Sequence, residues 1–411
     1  MRSADDVSLD GASPSDTSPV PVGAFPLGAA ATLAELERDP HPLLARLRSH
    51  EPVSWLPALG GWLVTRRDLA IDVMRDASTF TVDDPRFSTA RVVGPSMLSL
   101  DGPQHTRHRT PFADRFRPAD VEARLAAFIE DSAARLVGGL KPAGAAELRR
   151  ELAGPLAVAV VAESLGLLGT EADTVLAWYD AIVGAVSDIT AGLEPRPAGP
   201  DAFGRLSASV RATVQAGDRE ALLVAAAVDG GLELPEVVSN AAVMMFGGIE
   251  TTEAMIVNAA LHLLSDPEQL ALVRADPGLL PDAVEESLRL EPAAAVVDRY
   301  ATRDVELAGA PIRAGDLVTV SIAGANRDPA AFADPAPDRF ELRRPNARRH
   351  LAFAQGPHFC LGAHAARLET RAALGLLLRE LPGLRLDPDR PATPRGLVFR
   401  KPEHVFVLWD S

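Results

Sequence analysis

The chain has 411 residues, 47% of them hydrophobic, which is ample for a buried core and, by length, suggests two or three domains or one unusually large one. Its net charge of −15 argues against general affinity for nucleic acid or anionic membrane, because phosphate binding rests on an excess of Lys and Arg. A single cysteine, Cys360, excludes an intrachain disulfide and any zinc site built on a Cys pair, and 5% aromatics leave little for base stacking.

Residues 1–28 read as a polar, acidic, Ser- and Pro-rich tail. It has neither the basic n-region nor the apolar h-region of a secretory signal, so a cytoplasmic location is expected. Leu33–Ser49 has a helical pattern, followed by short strands at Val53–Leu56 and Gly61–Val64 and a helix at Asp68–Arg75. Residues 77–102 read as a long irregular loop, of the kind that is functional when it occurs in a compact domain. Helical patterns return at Gln104–Arg115, Ala119–Leu140 and Ala145–Leu165, and cover much of 171–229. Pro235–Ser265 reads as one exceptionally long helix, interrupted by too many polar residues to span a membrane. Shorter helices at Pro267–Asp276 and Pro281–Leu290 start near a proline. Short strands follow between Val305 and Ala323, then a Pro-rich meander, a loop around Cys360, a helix at Leu361–Glu380 and terminal strands. The expectation is a mainly α chain with a small β region, folded as one large domain over residues 29–411.

The cysteine lies in a segment rich in small residues, with Phe353, Gly356, His358, Leu361 and Gly362 around it. A cysteine at a helix start sits near unpaired N–H groups and the positive end of the helix dipole, which favours thiolate. Thiolate is what an iron centre takes from an axial cysteine. Upstream, Phe246-Gly247-Gly248-Ile249-Glu250-Thr251-Thr252 puts two glycines, an acid and two hydroxyls on the long helix. Glu286 and Arg289 stand at i, i+3 and can pair on one face. His105 and Arg109, at i, i+4, can share a carboxylate partner.

The pattern Phe-x-x-Gly-x-His-x-Cys-x-Gly resembles the haem-binding signature of the cytochrome P450 family, with Cys360 matching the axial ligand of the iron. The chain carries Ala354 where that signature usually has Gly. The resemblance extends to the oxygen-activation segment, with Glu250 and Thr251 as the catalytic acid–alcohol pair and Gly247 beside the cofactor. It also extends to a Glu-x-x-Arg helix followed by a meander, which implies a structural network of Glu286, Arg289 and Arg339. His105, Arg109, Arg299 and His358 would hold the haem propionates. Phe353, Gly356 and Gly362 would shape the cofactor loop, and the haem would be haem b, bound noncovalently.

That resemblance implies a monooxygenase that hydroxylates or epoxidises a hydrophobic small molecule with O2, in secondary metabolism. Electrons would come from NAD(P)H through a ferredoxin reductase and a ferredoxin. Arg107, Arg115, Arg117, Arg349, Arg367 and Arg371 could form a basic face for that partner. The substrate pocket is expected to draw on the 81–98 loop, Val243, Phe246, Gly247, Ala294, Ala295, Val296, Val297, Val398 and Phe399, with Arg86 and Arg91 as candidates for a polar substrate group. A carrier protein could present the substrate. A peroxide-driven enzyme and a non-catalytic haem sensor are the competing readings; the Glu250-Thr251 pair argues against both.

Overall fold

The computed structural model describes residues 23–410 except 168–171, 191–193, 195 and 218–221. Of the expected tail over 1–28, residues 1–22 lie outside the described residues, and a short helix, α1 (Pro26–Ala30), spans the boundary placed at 28. Helices α2 (Leu33–Arg38) and α3 (His41–His50) replace the single helix expected there. Pro40 breaks it, because the residue before a proline is disfavoured in α conformation. Thr32 and Glu35 close a capping box on α2. Strands β1 (Val53–Leu56) and β2 (Gly61–Val64) and helix α4 (Arg67–Arg75) follow. The stretch read as an irregular loop contains β3 (Phe80–Thr81) and α5 (Ser88–Val93).

Helices α6 (Gly102–Ala113) and α7 (Pro118–Leu140) come next. The helix expected over Ala145–Leu165 is instead β4 (Ala145–Glu147), a π-helical turn at Arg149–Ala153, and α8 (Gly154–Leu165). Local helical preference loses here to pairing of β4 with the C-terminal strand (Glu147 opposite Phe406). Helices α9 (Ala172–Thr190), α10 (Ala198–Ala216) and α11 (Leu222–Val228) lead to α12 (Leu234–Ser265). Reciprocal Glu233 and Glu236 contacts cap the start of α12. At its far end the Asp266 side chain caps α13 (Pro267–Ala275). Helix α14 (Leu280–Leu290) precedes β5 (Val296–Ala301), β6 (Val305–Leu307), β7 (Ala310–Ile312), β8 (Leu317–Ser321) and the single turn α15 (Ile322–Ala325). The chain closes with α16 (Ala363–Glu380), β9 (Arg385–Leu386) and β10 (Phe406–Leu408).

The strands form a five-stranded sheet in the order β1-β2-β8-β5-β3, a three-stranded sheet β4-β10-β9 and the hairpin β6-β7. Only β2 and β8 pair in parallel within the larger sheet. The fold is therefore helical with a small β region, as expected.

Helix α12 organises the interior. Its first half, through Ile249, packs in one apolar cluster with α5, α6, α8, α9, α10 and α11. Its second half, from Ala254, belongs to another cluster with α7, α14, α16 and the terminal strands. The changeover falls on the Gly247–Thr252 segment. Among the described residues, no helix is long and apolar enough to cross a membrane.

Candidate active site

The loop before α16 is bent by backbone conformations that side chains resist. Ala354 has φ 59° and Gly356 has φ 74°. A β-carbon on Gly356 would lie 2.6 Å from the Met74 carbonyl oxygen, so glycine is needed there for both space and conformation. Ala354 adopts the left-handed conformation anyway, at a cost of about 1–2 kcal/mol. The Cys360 N–H donates to the Phe353 carbonyl (2.9 Å), and Arg109 donates to the Phe359 carbonyl (2.5 Å). Arg367 lies over the Phe353 ring at 4.4 Å and pairs with Glu285 (2.5 Å).

Helix α16 starts at Ala363, so Cys360 precedes it rather than opening it. The dipole effect expected on the thiol is outweighed. Burial pushes the Cys360 thiol up, and the Gly362 N–H with the Arg109 and Arg367 cations offsets only part of that. Ionisation at this position therefore calls for a cation to balance it.

Facing the loop is the middle of α12. The Thr251 hydroxyl donates to the Gly247 carbonyl (2.5 Å), a back-bond that loosens the helix locally. The two glycines serve different ends. A β-carbon on Gly248 would come within 2.5 Å of Val161 on α8, whereas one on Gly247 would meet nothing within 4 Å. Gly248 lets two helices close together, and Gly247 leaves open space.

That space is a cavity of about 290 Å³ lined by both walls: Val243, Met244, Gly247, Gly248, Thr251, Thr252 and Met255 from α12, and Phe353, His358, Cys360, Leu361 and Gly362 from the loop. Gly362, like Gly247, would admit a β-carbon without contact. At the edge, His105 is buried with its Nε2 unpartnered, and its ring lies 4.4 Å from that of His358. Burial, with His358 and Arg109 adding, pushes His105 down to about 4. A single thiol, two glycine-lined gaps and an orphaned imidazole beside an arginine fit a flat prosthetic group that takes a thiolate ligand and carries anionic substituents at one edge.

The edge differs from expectation in detail. His358 is held by Asp101 (2.8 Å), which also accepts from the Thr81 hydroxyl (2.7 Å) and the Val82 N–H (2.8 Å). Burial raises the Asp101 carboxyl, but His358 and these two donors outweigh it and hold it below the usual carboxylate range. Arg109 and His358 line the cavity; His105 and Arg299 do not. Arg299 is buried and donates to the Asp298 carbonyl (2.7 Å).

The acid of the acid–alcohol pair does not line the cavity. The Glu250 carboxylate accepts from the Tyr179 hydroxyl and pairs with Lys401 (2.7 Å). Lys401 also lies 3.2 Å from Glu253, which pairs with Arg149. Burial, with Glu250 beside it, pushes the Tyr179 phenol far up.

The structural network holds Glu286 and Arg289 as expected, but Arg344 takes the place expected for Arg339. Arg289 pairs with both Glu286 oxygens (2.7 and 2.8 Å), Arg344 pairs with Glu286 (2.8 Å), and all three side chains are fully buried. Arg339 contributes its carbonyl, which accepts from Arg289 (3.1 Å) and Arg344 (3.0 Å), while its guanidinium is exposed beside Glu341.

Among the expected substrate residues, Val243, Gly247, Ala294 and Val297 line the cavity, as do Met97 and Leu98 from the 81–98 loop. Phe246, Ala295, Val296, Val398 and Phe399 do not. Phe246 and Phe399 pack edge to face on each other (5.4 Å). Ala295 turns into the N-terminal apolar cluster, and Val398 is half exposed, its carbonyl accepting from the Ala295 N–H (2.8 Å). Arg86 is committed to Asp84 (2.8 Å), the Gly315 carbonyl (2.8 Å) and the Tyr300 ring. In the expected basic face, Arg107 pairs with Glu236, Arg117 with Asp114 and Arg367 with Glu285.

Sequence reasoning missed Val160, Val161, Ser164 and Leu165, the α8 contribution to the cavity, and also Glu369 from α16. Gly248 carried the one available signal for α8, since a glycine in mid-helix announces a close neighbour.

A sequence model of the cytochrome P450 family matches residues 218–406. The chain is 36% identical over 384 residues to the cytochrome P450 monooxygenase PikC of Streptomyces venezuelae, covering 88% of this chain and 87% of that one. It is 33% identical to the 20-oxo-5-O-mycaminosyltylactone 23-monooxygenase of Streptomyces fradiae, covering 89% and 87%. The crystal structure of P450BioI, solved in complex with a hexadec-9Z-enoic acid-ligated acyl carrier protein, superposes with a TM-score of 0.81 at 29% identity, over 90% of this chain and 98% of that one.

Proposed function

The chain belongs to the cytochrome P450 family, haem-dependent monooxygenases, and from that premise we propose that it hydroxylates or epoxidises a hydrophobic small molecule, with Cys360 as the iron ligand and electrons from a ferredoxin. The observation that carries this reading is that Cys360 and Thr251 line one cavity. When bound, haem b supplies the activation of O2 and the insertion of one oxygen atom into the substrate.

The chain's own residues then divide the work. Phe353 and the Cys360 N–H fix the sulfur in place, and Gly356 brings the loop close to α4. Arg109 and His358, with His105 and Arg299 outside the cavity lining, would neutralise the propionates. Gly247 and Gly362 leave room for the ring. The Thr251 hydroxyl, a donor and an acceptor, is positioned to hold a water and move a proton in the cavity. Glu250 stands one residue away with its carboxylate turned to Tyr179 and Lys401, so it would feed protons from behind the helix.

The remainder of the cavity is mostly apolar, with Met97, Leu98, Val160, Val161, Leu165 and Met244 facing a bound molecule and Ser164, Thr252 and Glu369 as polar exceptions. A hydrophobic substrate of moderate size suits that surface. One relative's name gives a mycaminosyl lactone as its substrate and one structural neighbour holds a carrier-bound fatty acid, which supports a secondary metabolite, free or tethered to a carrier protein.

The test is the carbonyl complex of the reduced protein. Wild type is expected to give the red-shifted Soret band of thiolate ligation, and Cys360→Ala is expected to lose it. An unchanged carbonyl spectrum in that variant refutes the ligand assignment. Product formation with NAD(P)H, reductase and ferredoxin, at a rate that falls with ionic strength, is expected; equal turnover with hydrogen peroxide alone refutes the ferredoxin route.

A further inference from the structure

Arg367 and Glu285 form an ion pair against the loop that carries Cys360. Arg367, in the second turn of α16, donates through Nε and one terminal nitrogen to the two Glu285 oxygens (2.5 and 3.0 Å). Its other terminal nitrogen donates to the Ala363 carbonyl (3.2 Å). The guanidinium carbon sits 4.4 Å from the centre of the Phe353 ring. Phe353 is the residue whose carbonyl accepts from the Cys360 N–H (2.9 Å), and both residues line the cavity.

His350 completes the arrangement. Its Nδ1 accepts from the Ala352 N–H (3.1 Å), so the ring proton is on Nε2, which donates to Glu285 Oε2 (3.1 Å). The imidazole is therefore neutral, a state that its burial also favours. Its ring packs 5.8 Å from that of Phe353. The cluster thus carries one positive charge and one negative charge, and His350 adds none. At the sulfur these two charges oppose each other. The Arg367 cation favours an ionised Cys360, and the carboxylate bonded to that cation cancels part of the effect. Stability alone does not call for such a pair, since buried ion pairs are often replaceable by apolar groups at no loss.

We propose that Glu285 and Arg367 are a balanced pair that sets how strongly the Cys360 sulfur donates to the iron, Arg367 withdrawing from beside Phe353 and Glu285 limiting that withdrawal. The proposal rests on the haem-thiolate reading. An unbalanced cation near the sulfur stabilises the reduced, more negative centre and raises its potential, whereas an unbalanced anion lowers it. The pair itself moves no proton and no electron. It changes how readily the centre accepts one.

Reductive titration of the holoenzyme, with the infrared spectrum of its ferrous carbonyl complex as a second reading, tests this without turnover. Glu285→Gln is expected to shift the ferric/ferrous potential positive. It should also raise the C–O stretching frequency, because a less donating sulfur leaves less back-bonding to carbon monoxide. Arg367→Met, with His350 still donating to an ionised Glu285, is expected to shift both readings the other way. Glu285→Gln combined with Arg367→Met is expected to return near wild type. Arg367→Lys, which keeps the charge without the planar fork, is expected to stay closer to wild type than Arg367→Met. A cysteine loop that had merely loosened would move both single variants in one direction. Should Glu285→Gln fail to bind haem, Arg367→Met against Arg367→Lys carries the test, and equal shifts in those two overturn the proposal. Single variants that shift together, or that do not shift while the thiolate signature is intact, overturn the proposal alone. A wild type without that signature overturns the haem-thiolate reading and the proposal with it.

Discussion

Of the buried clusters of charge in this molecule, the one around Glu286 and the one around Glu250 are built differently. At Glu286 two guanidiniums meet one carboxylate, and their remaining N–H groups donate to the carbonyls of Asn326, Pro335, Ala336, Pro337 and Arg339. The Glu341 N–H adds a further bond to the same carboxylate (3.1 Å). At Glu250 the partners are a tyrosine and a lysine whose ammonium pairs by charge while its N–H directions find no aligned acceptor. The first cluster ties a meander of irregular backbone to α14, and every guanidinium nitrogen in it donates. The second borders the long helix where the Thr251 hydroxyl bonds back to the Gly247 carbonyl. A saturated cluster fixes geometry, whereas one with slack can let a proton or a side chain move.

The sharpest way to break the comparison is Glu286→Gln. It leaves Arg289 and Arg344 buried against a neutral group, and a loss of about 3–5 kcal/mol is expected. Denaturant unfolding of the holoenzyme measures it, and haem content should fall in parallel. A loss under about 1 kcal/mol would show that the node is ornamental to stability.

Lys401→Met probes the slack cluster and should matter less. Lys401 and Glu250 form a partly buried pair, and a double-mutant cycle with Glu250→Gln is expected to give an interaction energy of about 1–2 kcal/mol. A value near zero would mean that Tyr179 alone holds Glu250, and that the lysine can move without cost.

The same contrast explains what was legible in the sequence. Cys360 with its flanking glycines, the Gly247–Thr252 segment and the Glu286/Arg289 pair are each short in sequence, so local spacing carries their geometry. Arg344 was not legible. Arg339 sits nearer the expected place, but the meander turns its backbone carbonyl inward and brings in the guanidinium five residues later. In a chain whose basic residues are almost all arginine, composition offers no way to choose between them. Lys401 and Tyr179 reach Glu250 from distant segments on either side of it in the chain, a closure that no local pattern encodes. On the substrate side the error has a simpler physical origin. Ala294 and Val297 reach the cavity while Ala295 packs against the N-terminal helices, a pattern that simple alternation does not give because the regular strand begins only at Val296. A segment can be placed beside a cavity from its distance to a motif, but which of its residues look inward depends on strand pairing such as Ala294 with Phe399.

The smallest expected effect comes from a group outside both clusters. His262, on the far half of α12, is partly buried, with its Nδ1 2.9 Å from the Ser287 hydroxyl. Burial pushes it down to about 4, with the Arg327 and Arg289 cations opposing the Glu291 carboxylate. Unfolded, it would take up a proton near 6.5. Between those values the unfolded chain binds the extra proton, so stability falls as pH drops from 6.5 toward 4. Lowering the pH from 7.5 to 5.5 should therefore cost about 1 kcal/mol through this residue. The carboxylates Glu285 and Glu291, each held down to about 2, lose their contribution only as pH falls below about 4.5, and the difference between wild type and His262→Gln separates this residue from His105, which is also pushed down to about 4. Unfolding of His262→Gln at the two pH values should show a shallower pH dependence than wild type. An identical slope would place the acid sensitivity of the fold elsewhere, with the edge histidine His105 as the next group to substitute.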